Sequence, residues 1–199
     1  QLAIEIKSDL KARQARGEKP EPRLPGEVLA MIFEKPSLRT RCTFETGMVQ
    51  LGGHAIYLAP ADIGLGTREA VKDVARSLGR WVQVIMARTF RQSTIVELAE
   101  HAGAPVINGL SDLEHPCQVM ADFLAALENR GSLQDFHLAW IGDGNNVCNS
   151  LILLSALLET RLTMAIPEGY DPPRAILERA RQMNPKADSL LRIVRQPAE

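Results

Sequence analysis

Short apolar runs alternate with amphipathic stretches along the chain, and this alternation restricts the possible folds more than any other feature. Runs such as EVLAMIF (27–33) and VQVIMA (82–87) have the length and content of buried strands. Between them lie stretches such as 71–78, in which apolar residues recur at helical spacing. Continuous apolar strands that alternate with helices are typical of parallel sheets with helices on both faces. The sequence therefore predicts an α/β fold.

The alternation restarts after a short polar stretch, GSLQDF (131–136), which we interpret as a domain boundary. The predicted strands are 27–33, 54–58, 82–87, 104–110, 137–143, 161–167 and 190–194. The predicted helices are 39–51, 71–78, 94–103, 115–129, 147–159 and 174–183. We therefore expect two domains, residues 1–133 and 134–199, each with a parallel sheet flanked by helices.

Bulk composition argues against two classes of protein. Because 23 Lys and Arg nearly balance 24 Asp and Glu, giving a net charge of -1, nucleic acid and anionic membrane surfaces are not expected partners. The longest apolar run, 151–158, is too short to cross a bilayer, and no secretory leader is visible. Cys42, Cys117 and Cys148 form no CxxC pair, which favours free thiols in the cytoplasm.

The stretch FEKPSLRTR (33–41) concentrates positive charge between a predicted strand and a predicted helix. Its basic residues are Lys35, Arg39 and Arg41, and its hydroxyls are those of Ser37 and Thr40. At the start of a helix, backbone N–H groups and guanidinium groups converge, which favours a bound phosphate. The alternative is an exposed Ser cap with solvated arginines, and spacing alone leaves both open.

Two further stretches follow predicted strands. Arg88 ends the strand VQVIMA, although a lone arginine there is most often a surface charge. HPCQ (115–118) opens a helix after the strand APVINGL, with Pro116 suited to the first turn. His115 and Gln118 lie three residues apart, so both can face one ligand. In parallel sheets ligands bind at such strand ends.

The stretch WIGDGNNV (140–147) supports a rival hypothesis. Gly142 and Gly144 are similar to part of a dinucleotide-binding fingerprint, with Glu168 as the acidic residue after the next strand. Val147 stands where that fingerprint needs a third glycine, which weakens the match. Asn145 and Asn146 fit either a polar amino-acid ligand or a helix cap.

Taken together, these stretches resemble the transcarbamoylases, the aspartate/ornithine carbamoyltransferase family. FEKPSLRTR, MARTFRQS, INGLSDLEHPCQVMAD and WIGDGNNV occur in the order and approximate spacing of that family. The forms FEK, HPCQVMAD and GDGNN are similar to its ornithine-specific members. The resemblance covers nearly the whole chain and implies transfer of the carbamoyl group of carbamoyl phosphate to the δ-amine of L-ornithine, with no metal and no cofactor.

The resemblance also implies roles for individual residues. Those implied to bind carbamoyl phosphate are Ser37, Leu38, Arg39, Thr40, Arg88, His115 and Gln118, with Arg41 supporting the first motif. Arg39, Arg88 and His115 are implied to be catalytic, and Asn146 to bind ornithine. The family further implies a homotrimer or a multiple of trimers.

Two departures from the family pattern bear on these expectations. Gly64 stands where many members carry a carbamoyl-phosphate-binding Gln, and Arg68 is either its substitute or an ordinary charged loop residue. The Asp-x-Trp-x-Ser-Met-Gly and His-Cys-Leu-Pro motifs, which contact ornithine in the family, do not follow Glu199. We therefore expect a truncated chain whose second domain is incomplete. Another transcarbamoylase, or a non-catalytic phosphate-binding module, stays open as an alternative.

Overall fold

The structure is a computed structural model that describes residues 2–198. Its helices are α1 (Leu2–Ala15), α2 (Leu38–Gln50), α3 (Pro60–Ile63), α4 (Val71–Leu78), α5 (Gln92–Ala102), α6 (Pro116–Arg130), α7 (Asn146–Leu158), α8 (Arg174–Met183) and α9 (Ala187–Leu190). Its strands are β1 (Val28–Phe33), β2 (His54–Leu58), β3 (Val84–Arg88), β4 (Val106–Leu110), β5 (His137–Ile141), β6 (Arg161–Ala165) and β7 (Leu191–Val194). They form two compact units, one up to Gly109 and one from Leu110 onward.

The first unit is built on a four-stranded sheet of order β2-β1-β3-β4, in which β1 pairs in parallel with both β2 and β3. Successive residues of β1 point to opposite faces. Ala30 and Ile32 pack into an apolar cluster with α4 and α5, whereas Met31 and Phe33 pack on the other face with Phe44 of α2. Helices therefore lie on both faces, which explains why β1 reads as a continuous apolar run.

The second unit has a three-stranded parallel sheet of order β5-β6-β7. Its core is a single apolar cluster that includes Ile152 of α7, Leu162 of β6 and Ile176 of α8. Helix α6 contributes Val119 and Phe123 to the same cluster. Both units confirm the predicted α/β class with parallel sheets flanked by helices.

Three helices were not predicted from the sequence. Helices α3 and α9 have four residues each, too few for a periodic pattern to emerge. Helix α1 has 14 residues, but its apolar residues do not gather into the stripe by which an amphipathic helix is found. None of the helices within residues 2–198 is long and apolar enough to cross a membrane.

The division by packing falls before α6, whereas the sequence placed a domain boundary after it, between Leu133 and Gln134. The difference arises because α6 buries Val119 and Phe123 in the cluster of the second unit. A polar stretch in the sequence reveals where the alternation of elements restarts, but not which side the preceding helix packs on. The boundary at 133/134 stays a prediction.

Candidate functional site

The order of strands in the first unit indicates a ligand-binding crevice at the carboxyl ends of β1 and β3. From β1 the chain runs to β2 on one side, then crosses to β3 on the other side of β1. The connections leaving β1 and arriving at β3 thus diverge, and ligands of open parallel sheets bind at such a switch point. Phe33 is in register with Arg88, so both strands end at the same level.

Ser37 caps the helix that leaves β1. Its backbone is extended, and its Oγ accepts a hydrogen bond from the backbone N–H of Thr40 at 3.4 Å and donates one to Thr40 Oγ1 at 3.0 Å. The side chain of Leu38 is 79% exposed, so this residue offers the site only its backbone N–H. The first N–H groups of a helix lack intrahelical acceptors, so an anion at the start of α2 would accept hydrogen bonds from them.

The basic residues of this stretch have different surroundings. The Arg41 guanidinium lies 3.8 Å from the centroid of the Tyr57 ring, and its Nε donates to Glu45 Oε1 at 2.9 Å. This hydrogen bond to Glu45 raises the pKa of Arg41. Lys35 lies over the Phe90 ring, with Nζ 4.5 Å from the centroid. Arg39 is exposed and has neither kind of contact among residues 2–198, so it is the arginine available to a ligand.

Arg88 is the second basic group at the crevice. Its Nε is buried and makes no hydrogen bond to any residue from 2 to 198. Burial lowers the pKa of the guanidinium, because removing the cation from water without a counter-charge disfavours its charged form. A buried donor without an acceptor is costly, and an anion at this position would satisfy both its hydrogen bond and its charge.

Glu34, which the sequence did not single out, joins the two strand ends. Its backbone N–H donates to the carbonyl of Arg88 at 2.9 Å, and its Oε2 accepts from the backbone N–H of Phe90 at 2.6 Å. These bonds fix the connection leaving β1 to the segment following β3. In a sequence, a charged residue directly after a strand is weak evidence for a specific role, because most such residues are solvated.

In the second unit His115 is the residue that precedes the first turn of α6, with Pro116 at the first helical position. The His115 side chain is half-buried, whereas Gln118 is exposed and donates to Asp122 Oδ1 at 2.9 Å. The segment between β4 and α6, residues 111–115, has no regular secondary structure. The backbone N–H of Ser111 donates to the Glu114 carbonyl at 2.9 Å within this segment, and side chains add further contacts.

Helix α7 supplies those contacts. Asn146 Nδ2 donates to the Ser111 carbonyl at 2.7 Å, and Asn149 Nδ2 donates to the Leu113 carbonyl at 2.9 Å. Ser150 Oγ accepts the backbone N–H of His115 at 2.8 Å. Three polar side chains thus hold the backbone of 111–115 at three points.

Asn146 was predicted from the sequence, whereas Asn149 and Ser150 were not. The three residues follow an i, i+3, i+4 pattern, which places them on one face of α7. Both missed residues are buried in a helix that is otherwise mostly apolar. Polar residues at helical spacing inside an apolar helix were therefore the available signal.

An ion pair fixes the residue before His115. Arg179 of α8 donates from Nη1 to Glu114 Oε1 at 2.8 Å, and the Glu114 side chain is only 13% exposed. The Arg179 side chain is 57% exposed, so water screens the pair from one side. Two helices of the second unit, α7 and α8, therefore contact the segment that carries His115.

The loop after β5 does not favour a dinucleotide site. A Cβ on Gly144 would lie 2.2 Å from the backbone nitrogen of Pro172, so the backbone of a neighbouring loop fills the space beside this glycine. In a dinucleotide fingerprint that space belongs to the pyrophosphate. Asn145 caps α7, with its Oδ1 accepting from the backbone N–H groups of Val147 and Cys148 at 2.9 and 3.2 Å.

The cysteines and acidic residues add no further ligand set. Cys42 is exposed and Cys148 is buried, and burial raises the pKa of the Cys148 thiol to about 12. Within residues 2–198 no three His, Cys, Asp or Glu side chains are grouped so that they could hold a metal ion. Arg68, the suggested substitute for a missing Gln at Gly64, pairs with Glu69 at 3.4 Å.

The predicted site residues thus fall into two sets, one in each unit. The first unit holds Ser37, Leu38, Arg39, Thr40 and Arg88 at the ends of adjacent strands. The second unit holds His115, Gln118 and Asn146 at the starts of α6 and α7. The first set is suited to an anion and the second to neutral polar groups.

Comparison with protein families gives two matches that follow one another along the chain. Residues 1–128 match the family model described as aspartate/ornithine carbamoyltransferase, carbamoyl-P binding domain. Residues 134–199 match the one described as aspartate/ornithine carbamoyltransferase, Asp/Orn binding domain.

Individual relatives agree with these matches. The chain is 52% identical over 176 residues to an ornithine carbamoyltransferase of Archaeoglobus fulgidus, covering 88% of this chain and 56% of that protein. It is 48% identical to an ornithine carbamoyltransferase of Thermus thermophilus, covering 90% of this chain and 58% of that protein. The solved structure of ornithine carbamoyltransferase from Pyrococcus furiosus is similar with a TM-score of 0.88 and 40% identity, covering 96% of this chain and 61% of that one. The chain thus spans less than two thirds of the length of these relatives.

Proposed function

Because the chain belongs to the aspartate/ornithine carbamoyltransferase family, we propose that the protein transfers the carbamoyl group of carbamoyl phosphate to the δ-amine of L-ornithine. The products are L-citrulline and phosphate. The proposal is supported by the names of relatives 48–52% identical to most of this chain.

The observation that carries the proposal is the pairing of a capped helix N-terminus with a buried, unsatisfied arginine at one strand-end crevice. The N-terminus of α2 offers backbone N–H groups and the exposed Arg39, and Arg88 Nε lacks an acceptor within residues 2–198. Phosphate oxygens accept hydrogen bonds both from backbone N–H groups and from guanidinium groups. In our proposal Ser37, Leu38, Arg39 and Thr40 bind the phosphate of carbamoyl phosphate.

The reaction then needs donors at the acyl group. The amine of ornithine attacks the carbamoyl carbon, a carbon–nitrogen bond forms, and the carbonyl oxygen gains negative charge. We assign Arg88 and His115 to that oxygen, Arg88 also reaching the phosphate, and Gln118 to the carbamoyl group. Each donor aimed at a developing oxyanion typically accelerates such a step by about 10²–10³-fold. The carbon–oxygen bond to phosphate breaks next, and the phosphate, its charge held by Arg39, leaves and accepts the proton of the amine.

Asn146 is the proposed contact with ornithine. Its Nδ2 already donates to the Ser111 carbonyl at 2.7 Å, so an amine of the substrate would meet Oδ1. Replacing Asn146 would therefore remove an acceptor for ornithine and loosen the segment before His115 at the same time.

Family membership also supports three proposals about the whole protein. We propose that it is a homotrimer or a multiple of trimers, that it acts in the cytoplasm, and that it serves arginine biosynthesis or a urea-cycle type of step. The mass of the purified protein in solution, measured by light scattering, tests the first proposal. A monomer at micromolar concentration would contradict it.

The experiment that tests the proposed function is binding of inorganic phosphate and of carbamoyl phosphate by calorimetry, together with formation of citrulline. We expect Arg39→Ala to weaken phosphate binding by about 10- to 100-fold, because a hydrogen bond to a charged group contributes about 1.5–3 kcal/mol. Arg76→Ala is the matched control, since Arg76 is an exposed arginine of α4 in the same unit.

Two results would contradict the proposal. One is equal phosphate affinity of Arg39→Ala and the unchanged protein. The other is no citrulline from the 199-residue chain and none from a form extended to the length of its relatives.

A further inference from the structure

We propose that Ser150 is a positioning residue for His115, and that its hydroxyl sets the rate of carbamoyl transfer without touching the substrate. This inference rests on the proposed function, because it concerns the step in which His115 acts. Ser150 lies outside the motif HPCQ and is not among the residues to which the family resemblance assigns a role.

The contact is direct and lies at the residue whose orientation matters. Ser150 Oγ accepts the backbone N–H of His115 at 2.8 Å, 35 positions away in sequence. His115 precedes α6 with backbone angles of φ -136° and ψ 65°, outside helix and strand geometry, and Pro116 follows it. The carbonyl of His115 accepts from the backbone N–H groups of Gln118 and Val119 in α6 at 3.2 and 3.4 Å, whereas its N–H is held by the long-range bond to Ser150.

The neighbouring contacts show that the whole segment is fixed in the same way. Asn149 donates to the Leu113 carbonyl at 2.9 Å, and Arg179 pairs with Glu114 at 2.8 Å. These contacts fix the residues before His115, whereas Ser150 holds His115 itself. Losing the Ser150 bond would leave the His115 N–H without this acceptor while the contacts of Leu113 and Glu114 stay in place.

A second buried serine of α7 provides a control that distinguishes an effect on the position of His115 from an effect on core packing. Ser155 of α7 is fully buried, and its Oγ makes no hydrogen bond to any residue from 2 to 198. Ser150 is 4% exposed and lies one and a half turns earlier. Removing either hydroxyl creates a similar small change in volume, but only removal of the Ser150 hydroxyl takes away the acceptor of the His115 N–H.

The expected effect falls on the chemical step. Displacing a catalytic donor by about 1 Å can lower the rate about 100-fold. The effect expected here is smaller, because the backbone of His115 keeps its other contacts. We therefore expect Ser150→Ala to lower kcat for citrulline formation about 10-fold. The KM for carbamoyl phosphate changes less than about threefold, because the phosphate contacts lie in the first unit and dominate ground-state binding. Ser155→Ala keeps both constants within about twofold of the unchanged protein.

A double-mutant cycle tests whether Ser150 acts through His115. His115→Ala alone lowers kcat by about 10²–10³-fold, as expected for loss of an oxyanion donor. In that background the further change Ser150→Ala alters kcat by less than about twofold, since there is no side chain left to position. A general loss of stability would lower kcat in both backgrounds.

Hydrogen exchange provides a readout that does not depend on activity. The amide proton of His115 should exchange at least about 10-fold faster in Ser150→Ala than in Ser155→Ala, because it loses its acceptor. Overall folding of both variants is compared by thermal unfolding in the same samples.

The outcomes are distinguishable from failure of the proposed function. If neither the 199-residue chain nor a form extended to the length of its relatives makes citrulline, the proposed function fails, and the exchange result alone then decides whether Ser150 holds His115. If the unchanged protein is active and Ser150→Ala retains its kcat, the positioning role is overturned. Equal losses of kcat with and without His115 would overturn it as well.

Discussion

Arg39, Arg41 and Arg88 carry the same charged group in three different surroundings. Arg41 is stacked on Tyr57 and paired with Glu45, Arg39 is exposed, and Arg88 has a buried Nε with no acceptor within residues 2–198. A guanidinium that already has a carboxylate partner gains little from a phosphate, whereas one that lacks an acceptor gains most. The anion-binding capacity of this stretch therefore resides in Arg39 and Arg88.

The cysteines also differ in their surroundings, and their burial predicts how fast they react with thiol reagents. Burial first and the charge of Asp143 second raise the pKa of the Cys148 thiol to about 12, so at pH 8 it stays protonated in the folded protein. Cys42 is exposed on α2. We expect a thiol reagent to modify Cys42 rapidly and Cys148 only when the protein unfolds. Counting modified thiols by mass spectrometry, with and without denaturant, checks this.

The matched control is Cys42→Ser, which should remove the fast phase of modification and leave the slow phase unchanged. Rapid labelling of Cys148 in the folded protein would contradict the expectation. Since the raised pKa favours the protonated folded state, Cys148 stabilises the fold below pH 9, and this contribution declines as the pH rises from about 9 towards 12.

At the scale of elements, the pair α4–α5 depends on one close approach. A Cβ on Gly79, at the end of α4, would lie 1.6 Å from the carbonyl oxygen of Ala102, the last residue of α5. No side chain fits there unless the two helices separate. Since Val74 and Leu98 from these helices share one apolar cluster, separation also loosens the core of the first unit.

Gly79→Ala should therefore lower the free energy of unfolding by about 1–3 kcal/mol, the usual cost of overpacking. Gly47→Ala is the control, because no atom lies within 4 Å of the added Cβ in the middle of α2. That change should raise the free energy of unfolding by about 0.5–1 kcal/mol, since alanine favours helix more than glycine. Urea denaturation measures both. Equal stability of the two variants would show that the α4–α5 contact adjusts at no cost.

Periodicity predicted the buried elements and missed the exposed ones. The six longer helices that bury or half-bury an apolar face, α2 and α4 to α8, were predicted within a few residues. Helix α1 was missed because its apolar residues do not concentrate on one face, although its composition favours a helix. Its Asp9 and Arg13 pair at 3.0 Å across one turn, a contact that a helix permits but does not require.

The candidate site was predictable where ligand-facing residues are contiguous. FEKPSLRTR and HPCQ could be read directly, because helix starts after strands concentrate donors at one edge of a sheet. Glu34, Ser150 and Arg179 could not, because each acts through a partner distant in sequence: Phe90, His115 and Glu114. A sequence lists neighbours along the chain, and these contacts join residues that only the fold brings together.

At the scale of the whole molecule, α6 belongs by its packing to the second unit. Phe123 of α6 is 4% exposed and meets Phe136 edge-on, with ring centroids 5.7 Å apart. Val119 is 1% exposed in the same cluster. Burial of a valine and a phenylalanine stabilises by about 1.5–3 kcal/mol each, which is a large share of the stability of a small domain.

This packing leads to different expectations for two fragments. Residues 110–199 should unfold in one cooperative transition, whereas residues 134–199, which lack α6, should unfold at a lower temperature or without a clear transition. Circular dichroism during heating compares them. Equal transition temperatures would favour the boundary between Leu133 and Gln134 instead.

The hydrogen bonds that three side chains of α7 make to residues 111–115 also matter for protein engineering. Residues 111–118 are contiguous in the sequence, yet three of the hydrogen bonds that hold their backbone come from side chains 35 or 36 positions further on. Grafting residues 111–118 alone onto another scaffold would transfer the His115 imidazole but not the contacts that orient it. A transplant would have to carry the first two turns of α7 as well, so the smallest unit that can be moved is a pair of segments.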